Sequence, residues 1–324
     1  KGPARTGYVN QGWSSKKNSE KATAKAKCTV NKNITLYAVQ KKAVQLTFHR
    51  CDGSTWQKTT LAKGSSYSLP GVRDAEGYTF MGWSTKPMQS VSPQYEAEEK
   101  ITVNGNVDLY AVVFNRTTET DLTEDQLPQV DIYKYKQVIF VGDSRTEFME
   151  NVLTGMGESA TKNVKFVCSA GKGLDWFTTT GWAQLYSIVQ HDSNSILSKK
   201  TAVIFNFGVN DLSKSADYAE YYNWIAPQLK SKGCELYFMS VNPVNRLMLP
   251  NAGRADRSEA AVRSFNQYMK ANLSSAYTYI DMYSYLKSTG YSFASDHYGT
   301  GTVDDGLHYT TRTYKRIFAK CMDS

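Results

Sequence analysis

Three side chains in the C-terminal part of the chain could together act as nucleophile, base and acid. Ser144 follows an apolar run and opens a predicted helix, where unpaired backbone N–H groups favour developing negative charge. A serine hydroxyl needs a base, and His308 has an acid, Asp305, three residues before it. That spacing lets the carboxylate hold the ring Nδ1–H and fix the tautomer. These residue types predict acyl transfer at a serine.

Each of these residues has a competing interpretation. Taken alone, Ser144 is more typical of a helix N-cap than of a nucleophile. His297 is the main competitor of His308 because the two lie close together in the sequence. Asp304 competes with Asp305 as the acid. The remaining histidines are less suitable, since one lies in a separate N-terminal region and the other in a polar stretch: His49 and His191.

Two further loops could donate hydrogen bonds to an oxyanion. Residues 169–173 follow a second predicted strand, and their glycines would let the backbone approach a ligand closely. The segment Gly208-Val209-Asn210-Asp211 follows a third strand and offers a side-chain amide. An ordinary turn after a strand explains this last segment equally well.

Together the four segments resemble the SGNH, or GDSL-type, hydrolase superfamily, from about Asp131 to the C-terminus. They are Gly142-Asp143-Ser144, Ala170-Gly171-Lys172-Gly173, Gly208-Val209-Asn210-Asp211 and Asp305-Gly306-Leu307-His308. The resemblance implies a serine esterase or acylhydrolase that requires no metal and no organic cofactor. It implies Ser144 as nucleophile and His308 as base, and its Asp-x-x-His spacing selects Asp305 as the acid.

The resemblance also implies the oxyanion donors. They are the backbone N–H of Ser144, the backbone N–H of Gly173 with Gly171 as the runner-up, and the side chain of Asn210. Asp211 is expected to fix its loop. The chain departs from the family in the second segment, which lacks the asparagine that many relatives have just before the glycine.

A second departure is Arg145, which follows the candidate nucleophile where relatives commonly have an apolar or small residue. Three roles are open for it: a substrate contact, an ion pair with Glu147 or another acid, or a solvated side chain. We include it among four candidate wall residues of the substrate site: Arg145, Trp176, Phe177 and Tyr309.

The elements that must position these residues alternate between strand and helix. Strands are predicted at residues 137–142, 164–169, 201–207, 235–241 and 278–282, and helices at 145–155, 174–190, 215–231, 256–273 and 310–321. A longer loop is predicted at 284–305. This alternation predicts an α/β fold with a doubly wound, three-layer, flavodoxin-like parallel sheet, whose carboxyl edge would carry the site.

The N-terminal third contains an internal repeat of β type. Gly7-Tyr8-Val9-Asn10-Gln11-Gly12-Trp13-Ser14 recurs as Gly77-Tyr78-Thr79-Phe80-Met81-Gly82-Trp83-Ser84, and residues 33–39 recur at 106–112. The pattern resembles the B-repeat of internalin-type bacterial surface proteins, a small β-grasp-like module. That resemblance implies a secreted or wall-attached protein of a Gram-positive-like bacterium.

The resulting domain prediction has four parts: a partial repeat at 1–42, a repeat at 43–113, a polar and acidic linker at 114–130, and the hydrolase domain at 131–324. Trp13 and Trp83 could serve as sugar-stacking platforms, but packing within the repeat is the favoured interpretation. A spacer or adhesion role is the default expectation for the repeats. The chain begins without Met, so we expect a trimmed piece of a longer protein.

Composition narrows the classes of function. The chain has 324 residues, 41% of them hydrophobic, and a net charge of +8, so we expect at least two domains with real cores. No apolar run approaches the roughly 18 residues of a membrane span, and no zinc-finger or nucleic-acid motif is present. The basic N-terminal stretch predicts a solvated face, with attraction to anionic cell-wall polymers as the alternative.

Cysteine usage gives a weaker indication. Five cysteines, an odd number, occur at positions 28, 51, 168, 234 and 321 without metal-ligand spacing. We expect free thiols, with Cys168 and Cys234 buried in strands. Cys28 and Cys51 could pair only if their strands are neighbours.

Three functions remain open from the sequence. The leading one is a secreted or cell-surface bacterial esterase that removes O-acetyl groups from a polysaccharide, with possible cell-wall association through the repeats. The second is a lipid or small acyl-ester hydrolase. The third, from a different class, is a non-catalytic surface module for adhesion or glycan binding. The linkage, the acyl group and the oligomeric state are not encoded in any recognisable pattern.

Overall fold

The computed structural model describes residues 4–24, 31–87, 92–191, 199–249, 257–293 and 304–324. The chain forms two compact units. The first comprises Lys1–Pro70 and Gly82–Val113, and the second comprises Gly71–Met81 and Phe114–Ser324. The second unit therefore contains a short piece of the predicted repeat and the whole predicted linker, besides the hydrolase segment.

Among its described residues, the N-terminal region forms seven strands. They are β1 (Tyr8–Ser14), β2 (Tyr37–His49), β3 (Thr55–Ala62), β4 (Ser65–Ser68), β5 (Tyr78–Ser84), β6 (Lys100–Val103) and β7 (Val107–Asn115). A five-stranded sheet has the order β1-β2-β7-β5 with β3 paired to β2, and β4 pairs with β6. Strands β2 and β7 are parallel, whereas β1 and β3 run antiparallel to β2. The predicted boundary between residues 42 and 43 falls inside β2.

The sequence repeat is also a structural repeat. Gly12 in β1 and Gly82 in β5 both have positive φ, +120° and +142°, a conformation that favours glycine. Trp83 is fully buried; its ring nitrogen donates to the Pro70 carbonyl at 2.8 Å, and its ring lies 4.8 Å from that of Phe48. These contacts agree with the packing interpretation of Trp83.

The second unit contains a parallel sheet that confirms the predicted fold. Its strands are β8 (Tyr135–Gly142), β9 (Val164–Cys168), β10 (Lys200–Asn206), β11 (Cys234–Met239) and β12 (Tyr277–Ile280). The spatial order is β12-β11-β10-β8-β9 with every pairing parallel. This is the flavodoxin-like order, in which the direction of winding reverses between β8 and β10, and ligands bind outside the carboxyl edge at that point.

Helices cover both faces of this sheet. They are α1 (Ser144–Met156), α2 (Leu174–Trp176), α3 (Trp182–His191), α4 (Ser215–Lys230), α5 (Glu259–Asn272), α6 (Met282–Thr289) and α7 (Thr311–Met322). Successive residues of β8 point to opposite faces. Ile139 and Val141 belong to the core that contains side chains of α3, α4 and α5, whereas the Phe140 ring lies 5.8 Å from that of Phe318 in α7.

Two predicted elements differ from the structure. The single helix predicted at 174–190 is divided by a π-helical turn at Phe177–Gly181. The loop predicted at 284–305 begins with α6, which Asp281 caps by accepting a hydrogen bond from the Ser284 N–H at 3.1 Å. Met282 and Leu286 lie one helical turn apart and are fully buried, so packing of this face favours a helix where Ser, Tyr and Gly content suggested a loop.

The predicted linker is packed rather than free. Leu127 and Val130 are buried and the carboxylate of Glu119 accepts hydrogen bonds from Arg316, at 3.1 Å, and from Ser292, at 2.6 Å. The acidic composition on which the linker prediction rests thus includes a buried ion pair. The segment packs as a part of the second unit.

Four cysteines carry free thiols, in agreement with the expectation: Cys51, Cys168, Cys234 and Cys321. Cys234 is buried as predicted, whereas Cys168 is only half-buried and its thiol lies 3.2 Å from a Glu150 carboxylate oxygen. Cys28, for which pairing with Cys51 was the alternative to a free thiol, lies outside the described residues. In the part of the chain that the structure describes, no helix is long and apolar enough to cross a membrane.

Candidate active site

Three of the predicted segments meet at one edge of the parallel sheet. Gly142, the last residue of β8, pairs in register with Asn206 at the end of β10 and with Cys168 at the end of β9. The loops that follow these strands therefore start side by side at the carboxyl edge. Ser144 and Asn210 lie in the loops on the two sides of the winding reversal, where open α/β sheets bind ligands.

The three candidate catalytic side chains form a hydrogen-bonded chain. Ser144 Oγ lies 2.9 Å from His308 Nε2, and His308 Nδ1 lies 2.6 Å from Asp305 Oδ2. Because a carboxylate only accepts hydrogen bonds, Nδ1 carries the proton in the neutral ring and Nε2 is the acceptor that faces the serine hydroxyl. This is the arrangement of a serine, its general base and the acid that orients the base.

Asp305 is held by more than the imidazole. Its Oδ1 accepts hydrogen bonds from the backbone N–H groups of Leu307 and His308, at 2.9 and 2.8 Å. Burial raises the pKa of Asp305, but the hydrogen bonds and charge of His308 and the two backbone hydrogen bonds lower it further, so its pKa lies below the ordinary value. The carboxylate is therefore ionised at neutral pH, as the orienting acid of a triad must be.

The serine is presented by the start of α1. Asp143, and not Ser144, is the N-cap, and its side chain accepts from the Arg145 N–H at 3.0 Å. Burial raises the pKa of Asp143 to about 6 against that hydrogen bond and the charge of Arg145. Because the cap is the preceding residue, the hydroxyl of Ser144 is free of a capping role and faces His308.

The second loop approaches the third very closely at Gly173. A Cβ on Gly173 would lie 2.4 Å from Asp211 Oδ2, so a larger residue at this position would displace the Asp211 carboxylate. The same carboxylate accepts from the Leu174 N–H at 2.9 Å and from the Tyr218 hydroxyl at 2.8 Å. Asp211 thus joins the two loops, in keeping with its expected role.

Asn210 has its amide group held at both ends. Its Nδ2 donates to the Lys172 carbonyl at 2.7 Å, and its Oδ1 accepts from an Arg257 guanidinium nitrogen at 2.6 Å. Because guanidinium groups only donate, Arg257 determines which end of the amide is oxygen. Among the described residues, the second N–H of Nδ2 has no hydrogen-bond partner, so it can donate to a ligand as an oxyanion donor must.

Sequence patterns gave no indication of Arg257. It is buried, and its Nε also donates to the Val209 carbonyl at 2.8 Å. The residue lies 47 positions from Asn210 and belongs to none of the four segments. No local sequence pattern marks Arg257, because it reaches Asn210 only in the folded chain.

The structure does not support a substrate contact for Arg145. Its side chain is buried and donates to three backbone carbonyls, those of Leu307 and Asn242 at 3.0 Å each and Pro243 at 2.9 Å. It lies over the ring of Tyr309, which is also buried and whose hydroxyl donates to the Pro243 carbonyl. Both side chains join the loops below the site.

The other candidate wall residues and histidines are distributed as follows. Phe177 is fully buried in the core, so it is not a wall residue, whereas Trp176 is half-buried and packs against Phe207 at 6.1 Å. His49 bonds to Asp108 at 2.8 Å in the repeat region. His297 and the side chain of His191 lie outside what the structure describes.

A groove of about 550 Å³ lies beside the candidate base. Phe148, whose ring lies 4.2 Å from that of His308, forms one wall together with Val152 and Met156 of α1, and Tyr309 and Tyr314 form part of the other. Its lining is largely apolar. Among the described residues, no group of three or more His, Cys, Asp or Glu side chains could hold a metal ion.

Two family models match different parts of the chain. The family model described as GDSL-like Lipase/Acylhydrolase matches residues 138–321, which is more than half of the chain. The model of the Listeria-Bacteroides repeat domain matches residues 1–39 and 45–112. The N-terminal region is thus similar to that repeat domain, without a specific match to internalin B-repeats. No match was found among curated proteins.

Several solved structures are similar to the hydrolase part. One is an acetyl xylan esterase, AlAXEase, with 10% identity and a TM-score of 0.39 over 58% of this chain and 98% of that one. Another is the C-terminal catalytic domain of Streptococcus pneumoniae peptidoglycan O-acetyltransferase A, with 15% identity and a TM-score of 0.34 over 59% and 92%. The acetylxylan esterase Axe2 from Geobacillus stearothermophilus has 12% identity and a TM-score of 0.35 over 59% and 94%. At these identities nothing about this chain's substrate follows from them.

Proposed function

Because the chain belongs to the GDSL-like lipase/acylhydrolase family and is an ester hydrolase, we propose that Ser144, His308 and Asp305 carry out its reaction through an acyl-enzyme. The single observation that supports this most directly is the continuous hydrogen-bonded chain from Ser144 Oγ through the imidazole to Asp305, with 2.9 and 2.6 Å between heavy atoms. A serine that served only as a structural cap would not face an unprotonated ring nitrogen.

In the first half-reaction, His308 Nε2 takes the hydroxyl proton as Ser144 Oγ attacks the ester carbonyl. The tetrahedral intermediate collapses when the imidazolium gives this proton to the leaving alcohol. In the second half-reaction, water attacks the acyl-enzyme with the same base, and the acid product and free Ser144 are released. Asp305 stabilises the imidazolium in both half-reactions and keeps Nε2 directed at the serine.

The negative charge that develops on the carbonyl oxygen is bound by three donors. They are the backbone N–H of Ser144, the backbone N–H of Gly173 and the side-chain Nδ2 of Asn210. The support for this assignment is that Asp211 holds the Gly173 loop and Arg257 orients the Asn210 amide. Donors fixed before the substrate arrives need no reorganisation during the reaction.

We further propose that the substrate is an O-acetylated polysaccharide outside the cell or on its surface. The likeness of the N-terminal third to the Listeria-Bacteroides repeat domain supports a surface location, where an O-acetylated polysaccharide would be accessible. The net charge of +8 favours association with anionic polymers of the wall.

The groove beside Phe148 favours a second candidate substrate, a lipid or other long acyl ester. Its lining is largely apolar and includes Phe148, Val152 and Met156 on successive turns of α1, so the groove has space for an acyl chain. In that case catalytic efficiency would rise with chain length, because each buried methylene contributes about 0.8 kcal/mol. An acetyl group gains nothing from the groove.

One experiment separates the two substrates. Acetate release from acetylated polysaccharides and hydrolysis of p-nitrophenyl esters from C2 to C12 would be measured with the parent and with Ser144→Ala. Serine-dependent acetate release with efficiency that falls as the chain lengthens is the result we expect. Efficiency that rises steadily from C2 to C12 would replace the polysaccharide proposal with the lipid one.

A further inference from the structure

A buried carboxylate from outside the region that matches the hydrolase family is linked, through two other side chains, to the turn that carries the candidate acid. Asp74 lies in the segment Gly71–Met81, which belongs to the same compact unit as the parallel sheet, and its side chain is 1% exposed. Arg116 NH2 lies 2.6 Å from Asp74 Oδ2 and also bonds to Asp304 Oδ2. One guanidinium nitrogen thus connects Asp74 to the residue before Asp305.

A second connection reaches the other side of the same turn. Asp74 Oδ1 accepts from Asn245 Nδ2 at 2.8 Å, and the Asn245 N–H donates to the Gly306 carbonyl at 2.8 Å. Within the turn, the Gly306 N–H donates to Asp304 Oδ1 at 3.1 Å. Asp305 therefore lies between two residues that are both linked to Asp74.

Arg116 makes further hydrogen bonds that fix its position independently of Asp304. Arg116 Nε donates to Thr79 Oγ1 at 2.9 Å, and the Arg116 backbone N–H donates to the Gly77 carbonyl at 2.9 Å. Both partners belong to the same short segment as Asp74. Hydrogen bonds thus join residues 74–79 to Arg116, and Arg116 in turn binds Asp304 in the turn 304–306.

We propose that Asp74 and Arg116 are positioning residues for the triad acid: through Asp304 and Asn245 they hold the turn so that the Asp305 carboxylate meets His308 Nδ1. The inference rests on the proposed function of Ser144, His308 and Asp305. It extends the working site to a segment that precedes residue 138, where the family match begins.

The cost of burying charge indicates that Asp74, Arg116 and Asp304 serve to position the turn more than to stabilise the fold. Burial, with an additional contribution from the charge of Asp304, raises the pKa of Asp74 to about 6 against the Phe80 N–H hydrogen bond and the charge of Arg116. Ionised groups buried in this way generally stabilise a fold less than well-packed apolar groups would. What they provide is a defined geometry, and a displacement of about 1 Å in a catalytic group can cost about a hundredfold in rate.

The test uses the full chain with Arg116→Gln, Arg116→Lys and Asp304→Asn. The matched control is Arg312→Gln, because Arg312 is 45% exposed and its ion pair with Asp121 is long, 3.6 Å. Turnover of p-nitrophenyl acetate is followed by kcat and KM, and the fold by thermal unfolding. The downfield proton signal of His308 Nδ1–H reports the Asp305 contact directly, without any substrate.

If the proposal holds, Arg116→Gln lowers kcat about 10- to 100-fold with KM nearly unchanged, and shifts or broadens the downfield signal. Arg116→Lys keeps the charge and recovers part of the loss. Adding Asp304→Asn to Arg116→Gln lowers kcat little further, because both substitutions remove the same contact between Arg116 and Asp304. Arg312→Gln matches the parent in every measurement.

Parent-like kcat and an unchanged downfield signal in Arg116→Gln, even with a lower Tm, would overturn the proposal. Fully additive losses in the double variant would overturn the route through Asp304. If neither the parent nor Ser144→Ala hydrolyses any ester, the proposed function has failed, and the downfield signal alone then decides whether Arg116 holds the turn.

Discussion

The guanidinium of Arg145 donates a hydrogen bond to the backbone carbonyl of Leu307 at 3.0 Å. The residue after the candidate nucleophile therefore holds the residue before the candidate base. The two other nitrogens bind the carbonyls of Asn242 and Pro243 at 3.0 and 2.9 Å, so one buried side chain joins two loops to the start of α1. A charge that would be costly to bury alone is compensated by these bonds.

We expect Arg145→Gln to destabilise the second unit by about 3 kcal/mol or more, because several buried carbonyls lose their donors at about 1–3 kcal/mol each. Urea denaturation followed by tryptophan fluorescence measures this change, with Arg312→Gln as the control. The loss of activity at saturating substrate should exceed any rise in KM. Parent-like stability together with a selectively raised KM would instead favour a substrate contact for Arg145.

Asn210→Ala should reduce kcat by about 10²- to 10³-fold with a smaller effect on KM, because an oxyanion donor acts mainly on the transition state. Steady-state hydrolysis of p-nitrophenyl acetate gives both constants. Asn272→Ala is the matched control, since Asn272 is exposed and its side chain donates to the Tyr268 carbonyl one helical turn away, at 2.8 Å. Equal kcat values for Asn210→Ala and the parent would remove Asn210 from the oxyanion site.

Arg257→Lys tests whether the orientation of the Asn210 amide matters. A lysine retains the charge but cannot bond the Val209 carbonyl and Asn210 Oδ1 as the guanidinium does. We expect kcat to fall about tenfold in the parent background. In the Asn210→Ala background the same substitution should have almost no effect on kcat. An equal loss in both backgrounds would mean that Arg257 acts on the site by some other route.

Much of the fold was predictable because its signals are local. The strands of the parallel sheet are short apolar runs that need no partner to be recognised, and all five occur at the expected places. The helix α6 was missed because its small apolar face becomes informative only when packed. The ion pair of Glu119 in the predicted linker was likewise not predictable, because its partner Arg316 lies far along the chain.

In the candidate site, too, local sequence predicts some residues and not those that are brought in from distant parts of the chain. Asp305 and His308 could be paired from the sequence because they are three residues apart, and Asn210 stands in a short recognisable segment. Arg257 and Asp74 act on residues 47 and 171 positions away, Asn210 and Asn245. No spacing rule connects such pairs, because the two residues of each pair come together only in the folded chain.

The depressed pKa of Asp305 gives a pH prediction with a definite sign. Burial raises this pKa, but the bonds from His308 and two backbone N–H groups lower it more. A carboxylate of this kind stabilises the folded state above its unfolded-state pKa, and the contribution is lost as the pH falls through the lower folded pKa. The Asp305→Asn variant lacks this contribution.

The difference in free energy of unfolding between the parent and Asp305→Asn should therefore be constant from pH 7 to about 5 and shrink below about pH 4. Urea denaturation at successive pH values measures it. At pH 7 the variant should also lose about 10⁴-fold in kcat, because the imidazole tautomer is no longer fixed. A stability difference that widens as the pH falls would contradict the assigned pKa direction.

The most direct test of the account is whether an acyl group becomes attached to Ser144 during ester hydrolysis. Parent and Ser144→Ala would be mixed with p-nitrophenyl acetate, quenched in acid and analysed by mass spectrometry of the peptides, alongside steady-state rates. We predict an acetyl group on Ser144 of the parent, no such adduct in the variant, and a fall in kcat of at least about 10³-fold. Parent-like hydrolysis by Ser144→Ala, or acetylation of a different residue on the reaction path, would contradict the account.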